Sequence, residues 1–529
     1  MRSAGMVLVA ALLFAASAGV GIAARPLMPV DETRVLSVAW EMRVRRDYLV
    51  PHLNGLPYSH KPPALYWAID AVWALAGVGE TAARLVPPLL ALAAIVGTAV
   101  LASLLWPGRD DLAGYAALAL AGTASFALFG GVVLFDGPLA ACVTLGLAGV
   151  VLAWRREDRR GWVLFGAALG LGILVKGPVA LLHLLPVPVL APVWQHERRA
   201  PSWTAWYVGA AAGTAIGAAI ALAWALPAAA AGGEDYARAI LWGQTAGRMV
   251  ASFAHRQPGW FYVVLLPVLL FPWSLWPPVW RAARAEARQA PDDGQRMVLV
   301  WIAAVVVLMS LVSGKQPHYL VPLLPAFGLL VARLLDTAPA PLRAVDLLLP
   351  ALLPVAVGMG LVLVPGSAVQ AAQRMGAPPP PEWAAALDPA AGAALVVGTI
   401  ALAVGTAHAR ATAVAGVAAM TVLVLCVAHV EWSRVAADRY DLRPVATALA
   451  AREHDGLAVV GGYNGEFGFL GRLTTPVAVI GPDEVEPWLA AHPRGRVVVR
   501  YHDASAAPAA SMLVDRPYRG GRLAVLGAP

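Results

Sequence analysis

Thirteen apolar runs punctuate this chain, near residues 5–23, 82–105, 112–129, 132–153, 162–175, 178–194, 204–226, 260–280, 296–313, 319–336, 343–364, 391–408 and 411–428. A bilayer core about 30 Å thick takes roughly 20 apolar residues of helix, and a lone segment crossing it must be helical because hydrocarbon offers its backbone no partners. The pattern predicts a polytopic α-helical membrane protein of about 13 transmembrane helices. Composition agrees and excludes an ordinary soluble enzyme. The chain is 59% apolar and 13% charged, against roughly 45–50% and 25% in soluble domains. Cys142 and Cys426 both lie within apolar runs, so neither a disulfide framework nor a cysteine metal site is on offer. Arg2 before the first run and small residues after it allow a cleaved signal peptide. An uncleaved first span suits a chain with twelve more, and either reading leaves residues 25–80 outside.

Sides follow from the loops. The stretch 154–160, the pair Arg198-Arg199, and Arg281, Arg284, Arg288 and Arg296 fall on one side of the count, which the positive-inside rule makes cytoplasmic. The net charge of +7 is thus an orientation signal rather than a sign of nucleic acid. Ala64–Gly79 is apolar but short and contains Asp70; with Tyr66, Trp67 and Trp73 it suits a helix lying in the interface. Treating it as a span would turn the arginine clusters outward. The scheme predicts a transmembrane domain over 1–429, with an outer loop at 24–80, in a bacterial inner membrane. Residues 430–529 change character, with charges throughout, Gly-rich turns, β-branched runs at Leu457–Val460, Val477–Ile480 and Arg496–Val499, and helical stretches at Pro444–Glu453 and Asp483–Ala491. They predict a small soluble α/β domain on the periplasmic side. Within it Asn464, Glu466 and His502 read as turn and surface residues. Pro378–Pro381 reads as a turn in an outer loop.

Unusual chemistry collects on that outer side. Asp31-Glu32-Thr33-Arg34 follows the first span, then Asn54 to Pro63 with His60 and Lys61, then Asp136, Lys176, His255 and Lys315-Gln316-Pro317-His318-Tyr319. Each has an ordinary reading when taken singly. Asp31 and Asp136 serve as helix caps, Glu32 and Arg34 as a solvated face, the lysines as snorkelling side chains, the histidines as interfacial residues. Together they are harder to dismiss. Of 39 basic residues 36 are Arg, and all three Lys fall in this outer set. Snorkelling would be served by Arg on either side. Cations converging with carboxylates at a membrane boundary form an anion site suited to a phosphate whose tail lies in lipid. A carboxylate there accepts a proton from a hydroxyl nucleophile, and the cations stabilise the charge that develops as a sugar–phosphate bond breaks. A lipid-phosphate transporter or flippase is the competing class. It calls for polar or broken spans at mid-bilayer and basic sites on both sides.

The Asp-Glu pair followed by Leu53-Asn54-Gly55-Leu56-Pro57-Tyr58-Ser59-His60-Lys61-Pro62-Pro63 resembles the GT-C membrane glycosyltransferases, in particular the aminoarabinose (4-amino-4-deoxy-L-arabinose) transferase-like branch related to protein mannosyltransferases. Phe135-Asp136-Gly137-Pro138-Leu139, Leu174–Pro178, His255 with Pro258 and Trp260-Phe261-Tyr262, Phe271-Pro272-Trp273 and Lys315–Pro322 extend the likeness in order. The resemblance implies inverting transfer of a sugar from a polyprenyl-phosphate donor to a lipid (lipid A-like) or other envelope acceptor, or to a protein hydroxyl as in the mannosyltransferases. It implies catalytic roles for Asp31 and Asp136, and places Lys61, Arg34 and Lys176 around the donor phosphate, with His318 and Tyr319 beside them; Glu32, next to Asp31, is read as a further catalytic acid, and Lys315, in the same outer set, as a further phosphate-binding cation. Two departures stand out: His60 where the family often has an acid, and Val35 where it often has an aromatic. In relatives that acid and the later His can hold a divalent metal, which here implies His60 and His255 as a zinc-type pair lacking a visible third ligand.

Overall fold

The computed structural model describes residues 3–197, 200, 202–247, 256–337, 342–375, 382–502 and 511–528, with side chains left undescribed at 244–247, 367–375 and 382. His255, Arg198-Arg199 and Pro378–Pro381 lie outside these residues. All thirteen apolar runs are helical, but they differ in continuity. Among the described residues nine helices are long and apolar enough to cross a membrane, or ten if Asp110–Ala121 and Ala124–Gly130, bent by 67°, form one span. The other three runs fall short. Arg160–Lys176 has 17 residues. The run at 178–194 divides into Val179–Leu184, Pro186–Val189 and Ala191–Trp194, and that at 260–280 into Phe261–Leu269, a 3₁₀ turn at Trp273–Leu275, and Pro277–Glu286. Prolines at 178, 186, 188, 192, 272, 277 and 278 explain the breaks, since each removes an N–H and crowds the preceding turn.

Most of the site is carried by the first third of the chain, and the 3₁₀ turn Pro317–Leu323 completes it. Helix α1 (Ser3–Ala24) leads to α2 (Asp31–Arg45), a two-stranded hairpin β1 (His52–Leu53) and β2 (Leu56–Pro57), the short helix α3 (Ala64–Ala76), and then α4 (Glu80–Leu105). The bent pair is α5 (Asp110–Ala121) and α6 (Ala124–Gly130), followed by α7 (Asp136–Arg155), α8 (Arg160–Lys176) and α9 (Val179–Leu184). Helix α1 packs against α4, α5 and the helix Arg410–Ala436, while α7 lies between α4 and α8. Helix α3, 13 residues long, buries Leu65, Tyr66, Ile69 and Trp73 against its neighbours and is too short to span.

The hairpin explains the most specific motif. Asn54 and Gly55 both have positive φ (54° and 81°), the conformation a two-residue hairpin turn requires and Asn-Gly supplies at least cost. Glu41 receives the turn's two amides, at 2.5 and 3.0 Å.

The C-terminal domain holds a five-stranded mixed sheet in the order β4-β3-β5-β7-β6, from β3 (Leu457–Val460), β4 (Ala478–Ile480), β5 (Arg496–Tyr501), β6 (Ser511–Tyr518) and β7 (Gly521–Gly527). Strands β3, β4 and β5 are parallel; β7 runs antiparallel to β5 and β6. Alternate residues feed two cores. Leu457, Val459, Val498 and Val525 meet the helix Arg443–Ala450, while Ala458, Val497, Ala524 and Leu526 meet Val485–Ala491. The final hairpin β6–β7 is an addition to the strands read from sequence. Two details differ from expectation. A boundary at 430 falls inside the helix Arg410–Ala436, which buries Glu431. Glu466 is fully buried rather than a surface residue, because it pairs with Arg500 at 2.5 Å and accepts the Asn464 amide.

Candidate active site

The α7–α8 hairpin builds the inner half of the site. Asp136 is the first residue of α7 and Lys176 the last of α8. Two antiparallel helices of 20 and 17 residues return the chain to the same level. At a rise of 1.5 Å per residue that is one membrane thickness away from the arginines of the connecting turn. Each charge suits its helix end, carboxylate at the N-terminus and ammonium at the C-terminus. They form a direct ion pair, with the side chains 2% and 7% exposed respectively. His318 Nε2 lies 4.0 Å from the other Asp136 oxygen, and the Tyr319 ring sits beneath the Lys176 ammonium at 4.7 Å. The 3₁₀ turn Pro317–Leu323 packs on α7, which delivers both aromatic side chains to this point.

The outer half comes from α2 and the loop before α3. Asp31 opens α2; its side chain is 65% exposed, and Arg34 Nη2 donates to it at 2.7 Å one turn on. Lys61 Nζ stands 5.5 Å over the ring of Phe135, the residue before Asp136. Five residues predicted from sequence are thus brought together, Asp136, Lys176, His318 and Tyr319 by direct contact and Lys61 through Phe135, while Asp31 and Arg34 pair with each other at the start of α2. The start of α2 offers an accessible carboxylate paired with a guanidinium, and the facing ends of α7 and α8 a buried ion pair with aromatic walls. Such an arrangement can hold an anion against cations while presenting a base to a second reactant.

Glu32 and Lys315 do different work. A helix turns each successive side chain by about 100°, so Glu32 points away from Asp31 into the protein, where it is 2% exposed. Its carboxylate accepts from both Arg25 guanidinium nitrogens (2.5 and 3.1 Å), the Met28 amide (2.9 Å) and the Val133 amide (2.8 Å). That leaves no lone pair for a substrate. The catalytic role read for Glu32 is replaced by one of tying α2 to the strand of chain before α7. Lys315, also buried, donates to the Gln257 carbonyl at 3.0 Å, and among the described residues no carboxylate stands at ion-pair distance. Burial therefore holds its ammonium below the ordinary lysine range. His60 is exposed, with its ring 5.0 Å from that of Tyr58. Among the described residues no three His, Cys, Asp or Glu side chains are grouped to hold a metal ion.

Sequence reasoning missed Arg25 and Arg84, the buried frame around Glu32. Arg84 donates to the Gly21 and Arg25 carbonyls and to Glu80. A signal was present: an arginine four residues after a glutamate inside an apolar helix. Burial pushes the Glu32 carboxyl upward, but Arg25, Arg84 and the Val133 amide outweigh it and hold the group below its usual 4.5. A lowered folded-state value means stability present above the unfolded pKa and lost as pH falls through the folded one. Glu32→Gln is expected to lower the melting temperature at neutral pH and to flatten the fall below about pH 4.5. Thermal melts of both proteins in detergent across that range check it; parallel curves would show that Glu32 does not supply the acid limb.

Residues 60–231 match the family model described as dolichyl-phosphate-mannose-protein mannosyltransferase. The undecaprenyl phosphate-alpha-4-amino-4-deoxy-L-arabinose arabinosyl transferase of Pseudomonas aeruginosa is 33% identical over 314 residues, 58% of this chain and 55% of that protein. The protein of the same name from Pectobacterium carotovorum is 30% identical over 323 residues, again 58% and 55%. The chain thus spans about half the length of the curated relatives it matches. In three dimensions the likeness is longer. ArnT from Cupriavidus metallidurans, solved bound to undecaprenyl phosphate, superposes with a TM-score of 0.77 over 99% of this chain and 98% of its own, at 21% identity. The archaeal oligosaccharyltransferase AglB from Archaeoglobus fulgidus gives 0.51 over 94% and 69%, at 12% identity. The expected architecture, an apolar helical bundle with a C-terminal α/β domain, is the one this chain adopts, and the ArnT fold superposes over nearly all of it.

Proposed function

We propose that this chain, aminoarabinose-transferase-like in its motifs and GT-C in its fold, is an inverting glycosyltransferase that moves a sugar from a polyprenyl-phosphate donor to a lipid acceptor at the periplasmic face of a bacterial inner membrane. One observation carries the reading: the chain holds both an accessible Asp31 at the start of α2 and a buried Asp136–Lys176 pair beside His318. The donor phosphate lies among Lys61, Arg34 and Lys176, its prenyl tail in the bilayer. The acceptor oxygen attacks the anomeric carbon from the face opposite the phosphate. The carbon–phosphate-oxygen bond breaks with its electron pair going to the phosphate. Asp31 takes the acceptor's proton. The cations offset the charge gathering on the leaving polyprenyl phosphate, and Asp136 keeps Lys176 charged and aimed. No step is routed through a metal, since one member of the supposed pair, His255, lies outside the described residues. A lipid A-like molecule is the acceptor that the Pseudomonas relative's name suggests; the mannosyltransferase family model favours a protein hydroxyl as the second reading.

The test uses purified protein with a labelled undecaprenyl-phosphate sugar and either lipid A or a secreted protein fraction as acceptor. Label moving to lipid supports the first reading, label on protein the second, and no release of sugar from the donor rejects both in favour of a lipid transporter. In the same assay Lys61→Ala is expected to raise the apparent donor KM about tenfold, the loss of one charge-assisted phosphate contact. An unchanged KM would remove Lys61 from the phosphate site.

A further inference from the structure

The C-terminal domain grips the loop that carries Asp31 at several heights. Asn54 makes a reciprocal pair with the backbone of Val477, its side-chain amide donating at 2.9 Å and its oxygen accepting at 2.8 Å. The Trp40 indole donates to the Leu473 carbonyl at 2.8 Å. Ser37 Oγ donates to the Gly465 carbonyl at 2.6 Å and accepts the Phe469 amide at 2.9 Å. Trp73 stacks on Phe469 at 5.2 Å, nearly parallel. The last contact is the nearest to the chemistry. Arg519 Nη2 donates to the carbonyl of Pro29 at 2.6 Å, two residues before Asp31.

Arg519 is an odd residue for its place. Tyr518 pairs with Gly521, so Arg519 and Gly520 make the two-residue turn between β6 and β7, with Arg519 at φ 52°. Gly, Asn or Asp takes that left-handed position without strain; a longer side chain does not. Strain of this kind persists where the side chain has a task. The turn itself is pinned, the Arg519 amide donating to the Arg439 carbonyl at 3.0 Å, and the guanidinium then passes the Tyr518 ring toward Pro29.

We propose that Arg519 is a positioning residue: by holding the Pro29 carbonyl it fixes how the chain enters α2 and hence where Asp31 points relative to the Asp136–Lys176 pair. The C-terminal domain thereby sets the geometry of the site without touching a substrate. The inference rests on the reading of Asp31 as the base given above.

Two measurements on the full-length protein test it, one of them independent of any reaction. Arg519→Gly relieves the turn, so its melting temperature is expected to stay level or rise, while the amides of residues 30–34 exchange about fivefold faster with solvent. Its kcat is expected to fall about tenfold with donor KM unchanged, because a base displaced by less than an ångström loses transition-state contact rather than donor binding. Arg519→Lys, which keeps a donor of similar reach, is expected to recover most of that loss. Unchanged exchange at 30–34 overturns the proposal whatever the protein catalyses. Faster exchange with kcat intact overturns the link to Asp31. Wild-type protein inactive on every polyprenyl donor would instead defeat the proposed function, with the exchange result still deciding the role of Arg519.

Discussion

Asp31→Asn is expected to leave a folded, membrane-inserted protein whose transfer rate is lower by about 10²–10⁴-fold, the span that a positioned general base supplies. Stability should hardly move. The Asp31 side chain is 65% exposed and its ion pair with Arg34 is at the surface. Exposed pairs contribute about 0–1 kcal/mol, so a melting temperature within a few degrees of wild type accompanies the loss. The decisive measurement is single-turnover transfer from a pre-bound donor, which separates chemistry from binding. A mutant that retains full rate there removes Asp31 as the base. One that loses donor affinity but not rate reassigns it to binding.

Asp136→Ala is expected to behave oppositely, because there the charge is buried. Removing one partner strands the Lys176 ammonium at 7% exposure beside hydrocarbon, a loss of about 3–5 kcal/mol. The thermal transition should fall by many degrees and activity should vanish. Lys176→Ala strands Asp136 in the same way. The double change Asp136→Leu with Lys176→Met replaces the pair by apolar side chains of similar volume and is expected to regain most of the melting temperature. On the proposed mechanism it should regain no transfer, since Lys176 is there the inner cation for the donor phosphate. Recovery of stability with activity still absent assigns the pair to function. Recovery of both would mean that the pair serves only the packing of α7 on α8.

The outer Asp-Glu pair shows how far a one-dimensional reading reaches. Both acids were visible as candidates, and only the family resemblance, not their chemistry, favoured Asp31. Their separation depends on which side of α2 faces Arg25, Arg84 and the chain before α7, residues as far as 101 positions away. Lys315 is similar. Its scarcity marked it, but only the contact with Gln257 distinguishes it from Lys61 and Lys176. The run at 178–194 was legible as apolar helix, whereas its division into three short pieces reflects prolines whose joint effect depends on packing.

By itself the sequence determined the apolar helical bundle, the C-terminal α/β domain and the residue types that meet around Asp136 and Lys176. These are consequences of apolar run length and local motif, both of which act within a few residues. Tertiary structure decided which acid faces the open site, which lysine pairs with a carboxylate, and that the tail domain reaches back through Arg519 to the residue before Val30. Those outcomes rest on contacts between segments up to 490 residues apart, and the energy of a buried charge depends on neighbours that only the folded chain brings near.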